Sequence, residues 1–268
     1  MSRRLSLVEA MGLGPLWQRR GVEYVYASTA ATEAAPALLA DSLPASTPAT
    51  AIPQPAAPQN TILPTTLPVN AVALHDTKNL QGLSFSELKA EVARCQDCRL
   101  SNTRNQTVFG SGSPQARWLF IGEAPGENED LQGEAFVGAA GMLLNNILQA
   151  AGLDREHDVY ITNILKCRPP VNRNPQTDEV AACQVYLAAQ IALLKPELIV
   201  TLGRFASQTL LQSKASIGQL RGQVHDYQGI PLVASLHPAY LLRNPQEKAA
   251  VWRDLLLAKK TLQAANKD

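Results

Sequence analysis

Short apolar runs alternate with helical patterns through the C-terminal two thirds of the chain. Residues 118–121 (WLFI), 159–164 (VYITNI), 198–202 (LIVTL) and 231–236 (PLVASL) each have the length and character of a strand. Residues 139–151 place apolar side chains at 140, 143, 144, 147, 148 and 151, the stripe of an amphipathic helix. Thr177 is the expected N-cap of a helix reaching about Leu194, with Asp178 and Glu179 in its first turn. Further helices are expected from Arg204 to about Gln212 and over residues 246–262. This alternation predicts an α/β fold, a three-layer αβα sandwich around a central four-stranded parallel sheet. Ligands of such sheets sit outside the carboxyl ends of the strands. The polar segments GEAPGENED, TNILKCRPP and HPAYLLRN directly follow three of the four strands.

The pattern fails upstream. Residues 27–80 hold eight of the chain's 18 prolines, no aromatic residue and, before residue 76, only Glu33 and Asp41 as charges. Proline removes backbone donors and fixes φ, and neither a 3.6 nor a 2 period survives, so this stretch reads as a flexible linker. Residues 1–26 carry four arginines and a helix-like spacing of Leu5, Val8 and Met11. Glu9 interrupts the apolar stretch, so it does not read as a signal peptide. The expectation is a disordered N-terminal extension (1–26 and 27–80) followed by one globular domain over 81–268. No run reaches the ~18 apolar residues of a membrane span, and a cytoplasmic protein is expected. A net charge of +1 excludes a uniformly basic nucleic-acid coat but permits a local basic rim.

All four cysteines, Cys95, Cys98, Cys167 and Cys183, fall in the globular part. Cytosolic proteins rarely keep structural disulfides. Each cysteine alone reads as a small buried hydrophobe. Together, opening with Cys-x-x-Cys, they suit a four-thiolate site, and both zinc and an iron–sulfur cluster accept one.

The segments GEAPGENEDLQGEAFVGAAGMLLNNIL (122–148), VYITNILKCRPPVNRNP (159–175) and SLHPAYLLRNP (235–245), with the four cysteines, resemble the family 4 uracil-DNA glycosylases, the iron–sulfur-containing type. The resemblance spans about residues 85–265. It implies a [4Fe–4S] cluster on Cys95, Cys98, Cys167 and Cys183, and uracil-containing DNA, single- or double-stranded, as substrate. It implies a base-excision repair enzyme that flips deoxyuridine out and hydrolyses its N-glycosidic bond. Asn163 carries an amide able to pair with uracil O4 and N3–H at once, a pattern cytosine reverses. Phe136 matches the base-stacking aromatic, worth ~1–3 kcal/mol per base in single-strand binders. His237 would donate to uracil O2 as negative charge builds on the departing base. Gly122 and Ala124 supply small residues where backbone meets ligand. Glu123 and Glu129 match the motif carboxylates that orient water or stabilise the sugar cation, and Glu129 would also crowd thymine's methyl. The better-known uracil glycosylases carry an aspartate where this chain has Ala124.

Arg168, Arg173, Arg221 and Arg243 are the expected phosphate contacts, and one of Leu241 and Leu242 is the expected wedge into the gap left by the flipped base. The motifs contain no lysine except Lys166, so water rather than an amine should attack, in a monofunctional monomer. A covalent-capture relative would need a histidine in residues 168–175, which have none. A non-catalytic cluster- or metal-bearing DNA-binding module, such as a replication accessory protein, is the alternative. LVEAMGLGPLWQRR resembles the N-terminal peptide of the psi subunit of the bacterial replicase. That resemblance implies a replisome contact through Leu7, Met11, Leu13 and Trp17.

Overall fold

The computed structural model describes residues 80–265; the segment resembling a replisome-docking peptide and nearly all of the linker lie outside these. A six-stranded sheet runs in the order β1-β3-β2-β4-β6-β5. Its strands are β1 (Ser111–Gly112), β2 (Trp118–Gly122), β3 (Val159–Asn163), β4 (Leu198–Leu202), β5 (Val224–Tyr227) and β6 (Ile230–Ser235). The four expected strands are the central ones and are mutually parallel. Two antiparallel edge strands extend the expected four: β1 beside β3 and β5 beside β6. They bury little, which is why no apolar run announced them.

The helices are α1 (Phe85–Arg94), α2 (Glu127–Gln132), α3 (Ala139–Ala150), α4 (Thr177–Leu194), α5 (Arg204–Leu211), α6 (Ile217–Leu220), α7 (Pro238–Arg243) and α8 (Lys248–Ala265). Every residue of β2, β3 and β4 is buried, as sheets covered on both faces require. Side chains alternate between the faces. Trp118 and Phe120 join Leu144, Leu148, Val251 and Leu255 on the α3 and α8 side. Leu119 and Ile121 join Leu187, Ile191, Ala206 and Leu210 on the α4 and α5 side. Burying a side chain of this size is worth roughly 1.5–3 kcal/mol, so these two clusters supply the main driving force. Among the described residues, no helix is long and apolar enough to cross a membrane.

One boundary shifts. Gln176, not Thr177, caps α4; its extended backbone N–H donates to the Glu179 carboxylate at 2.9 Å. The register then sets up the site. Gly122 of β2 lies beside Asn163 of β3, and Leu202 of β4 beside Ser235 of β6. Past the strand ends, Ile164 N–H donates to Gly122 O at 2.9 Å and Leu165 N–H to Glu123 O at 3.1 Å. The β2 and β3 loops therefore leave the sheet together.

Candidate active site

A cavity of about 450 Å³ opens at this carboxyl edge, within the size range of small-ligand sites. Glu123, Ala124, Glu129, Phe136, Asn163, Arg173, His237 and Arg243 all line it. Pro125, Gly126, Ala140, Pro169, Asn172, Ala239 and Tyr240 complete the wall. All seven lie within segments 122–148, 159–175 and 235–245, so membership of those motifs was the available signal.

Asn163 ends β3 and is 2% exposed. Its Oδ1 is the buried side-chain oxygen or nitrogen that lacks a hydrogen-bond partner among the described residues. Such an orphan costs roughly 1–3 kcal/mol, and native folds rarely keep one without a reason. Gly122 makes room for it: a Cβ there would stand 2.3 Å from Asn163 Oδ1 and 2.7 Å from Phe136 Cζ. The Asn163 carbonyl is pinned from below by Lys166, whose Nζ donates to it at 2.8 Å and to Thr162 Oγ1 at 2.7 Å. Burial pulls the Lys166 ammonium down to about 8, opposed by the charges of Cys183 and Cys167.

Phe136 is buried with φ 54, in the left-handed region that non-glycine residues seldom enter. Gly141 permits this, because a Cβ there would sit 1.7 Å from the Phe136 carbonyl oxygen. The Phe136 ring lies 5.5 Å from that of His237, tilted by 34°. His237 caps α7: its Nδ1 accepts from Ala239 N–H at 3.1 Å. That acceptor role puts the ring proton on Nε2. Burial, then the Arg243 charge, pull His237 down to about 4, with Glu129 opposing. The imidazole is therefore neutral at pH 7 and donates only through Nε2–H. Gly203, at φ 95, passes closely beneath it; a Cβ would approach His237 Cβ to 3.0 Å.

The two motif carboxylates part ways. Glu123 is half-buried and makes no short ion pair among the described residues. Burial pushes its carboxyl above the usual range, against the pull of Arg204. Glu129 instead staples the loop. Its Oε1 accepts from Val137 N–H at 2.9 Å and Gly138 N–H at 2.8 Å, and its Oε2 from Gly126 N–H at 3.1 Å. This argues against Glu129 orienting the attacking water, since three backbone donors already engage both oxygens. It still lines the cavity.

The DNA-contact set is also revised. Leu241 is fully buried in the core beneath α7, so it cannot be a wedge; Leu242, one residue on, is 48% exposed. Arg221 is committed to the buried Asp254 carboxylate at 2.8 Å, which Ser235 Oγ also holds at 2.7 Å, and it does not line the cavity. Arg173 lines the cavity, yet its guanidinium donates twice to the buried Glu179, at 2.5 and 2.9 Å. It organises its loop rather than offering a free cation. Arg168 donates to Asn172 Oδ1 at 2.8 Å and stands 3.7 Å from Glu127. Arg243 is exposed on the cavity rim.

Cys95, Cys98, Cys167 and Cys183 line a second cavity with Val92, Asp97, Lys166, Ala182 and Tyr186. Burial pushes the Cys167 thiol up to about 11 and Cys183 up to about 12, and raises Cys98. Thiolates in such surroundings need a cationic partner to persist. Donors already point at the sulfurs: Arg104 Nη1 lies 3.1 Å from Cys167 Sγ, and the Lys166 N–H 3.3 Å from Cys183 Sγ. Among the described residues, no three His, Cys, Asp or Glu side chains close up into a group able to hold a single ion. All four cysteines line this one small cavity.

Residues 109–256 match the uracil DNA glycosylase superfamily. The chain is similar to the type-4 uracil-DNA glycosylase of Archaeoglobus fulgidus, 43% identical over 171 residues that make up 61% of this chain and 85% of the relative. It is 42% identical over 181 residues to that of Saccharolobus solfataricus, covering 64% of this chain and 83% of the relative. With that of Thermotoga maritima it shares 46% over 155 residues, 57% of this chain and 80% of the relative.

Proposed function

The chain belongs to the uracil-DNA glycosylase superfamily, and from that premise we propose that the Asn163 pocket receives deoxyuridine flipped from DNA and that water then cleaves its N-glycosidic bond. The protein is a uracil-DNA glycosylase, a hydrolase of N-glycosyl bonds acting in DNA repair. The observation that carries the pocket assignment is the orphaned Asn163 Oδ1. It is an acceptor in want of a donor, and uracil N3–H supplies one while the same amide's N–H meets O4. Cytosine offers no proton at N3 and an amine in place of O4, so it leaves the Asn163 amide unpaired. Phe136 stacks on the flipped ring.

As the bond from C1′ to N1 breaks, its electron pair leaves with uracil. The developing anion meets His237 Nε2–H, already aimed by the Nδ1 cap and paying no reorganisation. A neutral imidazole serves this step through its single Nε2–H, which donates a hydrogen bond to the developing anion. The water oxygen then bonds to C1′, and Glu123 accepts a proton from it while its charge faces the sugar cation. Unstacking costs a few kcal/mol, less at a mismatch. Arg243 remains the phosphate contact, and Leu242 the wedge.

The four cysteines of this cavity are the residues that fit a [4Fe–4S] cluster. The cavity is lined by four thiols, carries donors toward two sulfurs and holds a buried ammonium beside the thiolates. Cys95 and Cys98 at the end of α1, Cys167 after β3 and Cys183 on α4 would hold it. Bound there, it supplies a crosslink among three segments, one of which leads into Asn163. Iron and sulfide in equal amounts in anaerobically purified protein support this; zinc alone opposes it.

The test of the function is uracil release from an oligonucleotide bearing one deoxyuridine. The wild type should release it, and Asn163→Ala and His237→Ala should each lose most of the rate. Equal rates in all three would refute the pocket assignment.

A further inference from the structure

The loop from β3 to α4 carries an apolar side chain that packing does not explain. Val171 is 93% exposed, more than any other large apolar side chain described. Its backbone lies at φ 55, ψ 26, and Asn172 follows at φ 52. Asparagine tolerates this left-handed region; a β-branched residue there is a genuine outlier. Such a conformation persists only where the surroundings hold it. Here they do. Pro169 and Pro170 fix the backbone before it. Asn172 N–H donates to Pro169 O at 3.0 Å and Arg173 N–H to Pro170 O at 3.2 Å. Arg168 grips the Asn172 side chain, and Arg173 anchors the far end to buried Glu179. The result is a stapled loop with valine at its tip.

The position of the tip gives it a use. Pro169, Asn172 and Arg173 of the same loop line the cavity, so Val171 stands at the cavity's β3 rim. We propose that Val171 is a second DNA-insertion residue, entering the base stack beside the flipped nucleotide from the side opposite Leu242. Apolar side chains pressed between base steps are a general means of unstacking and kinking a duplex. β3 and β6 flank β2 and β4 in the sheet. Three strand spacings of ~4.8 Å put the two loops' origins ~14 Å apart. One strand of DNA rises ~3.4 Å per base, so the two tips act at different steps. A rigid, preformed tip also avoids the cost of ordering on binding.

This inference rests on the uracil-excision reading and concerns duplex DNA. Its test compares single-turnover uracil release from a duplex and from the same strand alone, for wild type, Val171→Asn and Val171→Gly. Both replacements favour the left-handed backbone, so loop shape and melting temperature should hold or improve. The duplex-to-single-strand rate ratio should fall about tenfold in both variants, as expected when an insertion contact that offsets unstacking is lost. A 2-aminopurine beside the uracil should brighten less on binding. Unchanged ratios and unchanged fluorescence in both variants would overturn the inference while leaving excision intact. No uracil release by the wild type from either substrate would instead sink the underlying reading.

Discussion

Asn163→Leu should raise stability while nearly abolishing activity. Leucine roughly matches asparagine in size and removes the orphaned buried oxygen of Asn163. The free protein is thereby relieved of a desolvation cost of roughly 1–3 kcal/mol. Its new neighbours, Phe136 and the open face of Gly122, are apolar or small. A gain of about 1 kcal/mol should lift the melting temperature by roughly 2–4 °C in a domain of this size. Activity moves the other way. Two hydrogen bonds to the uracil edge vanish, and uracil N3–H and O4 are buried unpaired, a penalty of about 3 kcal/mol or more. At 1.36 kcal/mol per decade, kcat/KM should fall at least ~10²-fold. Differential scanning calorimetry and single-turnover uracil release measure the two effects. A lowered melting temperature with activity within a few-fold of wild type would make Asn163 a framework residue and not a base-reading one.

Three further outcomes are expected. Because His237 is depressed to about 4 from 6.5, folding stability is full above pH 6.5 and is lost as pH falls toward 4, by about 3 kcal/mol; His237→Gln should flatten that loss in acid melts. Glu123 is shifted the opposite way, so the unfolded chain ionises first and stability drops as pH rises through its elevated value. Glu123→Gln should be more stable at neutral pH and should lose the ascending limb of the single-turnover pH profile, which in the wild type lies above the ordinary carboxylate range. Lys166→Met should keep the cavity volume but free the Asn163 carbonyl, lowering kcat more than ten times as far as it changes KM, by an order-of-magnitude reckoning for a misplaced binding group; a pure KM effect would argue against positioning.

Much of the fold was legible because parallel strands buried on both faces are written as unbroken apolar runs, as WLFI and LIVTL are. The edge strands were not. Ser111–Gly112 has two residues, and Val224–Tyr227 (VHDY) mixes polar and apolar side chains on a half-exposed edge. The pocket residues were legible because their motifs directly follow strands. What the chain cannot advertise is tertiary commitment. Leu241 and Leu242 are adjacent and identical, and one helical step of about 100° sends the first into the core and the second outward. Arg221 meets Asp254 across 33 positions, and Glu129 meets amides eight and nine residues ahead. Val171 was invisible for the reverse reason: valine is among the last residues expected at positive φ.

Hydrolytic excision of uracil by this pocket has a chemical signature of its own. Mass spectrometry of a reaction on a strand containing one deoxyuridine and several deoxycytidines tests it most directly, with borohydride present in a parallel sample. Free uracil, a strand lighter by that base alone, every cytosine retained and no protein–DNA adduct are the expected products. An intact strand, released cytosine or a trapped covalent adduct would contradict hydrolytic excision of uracil.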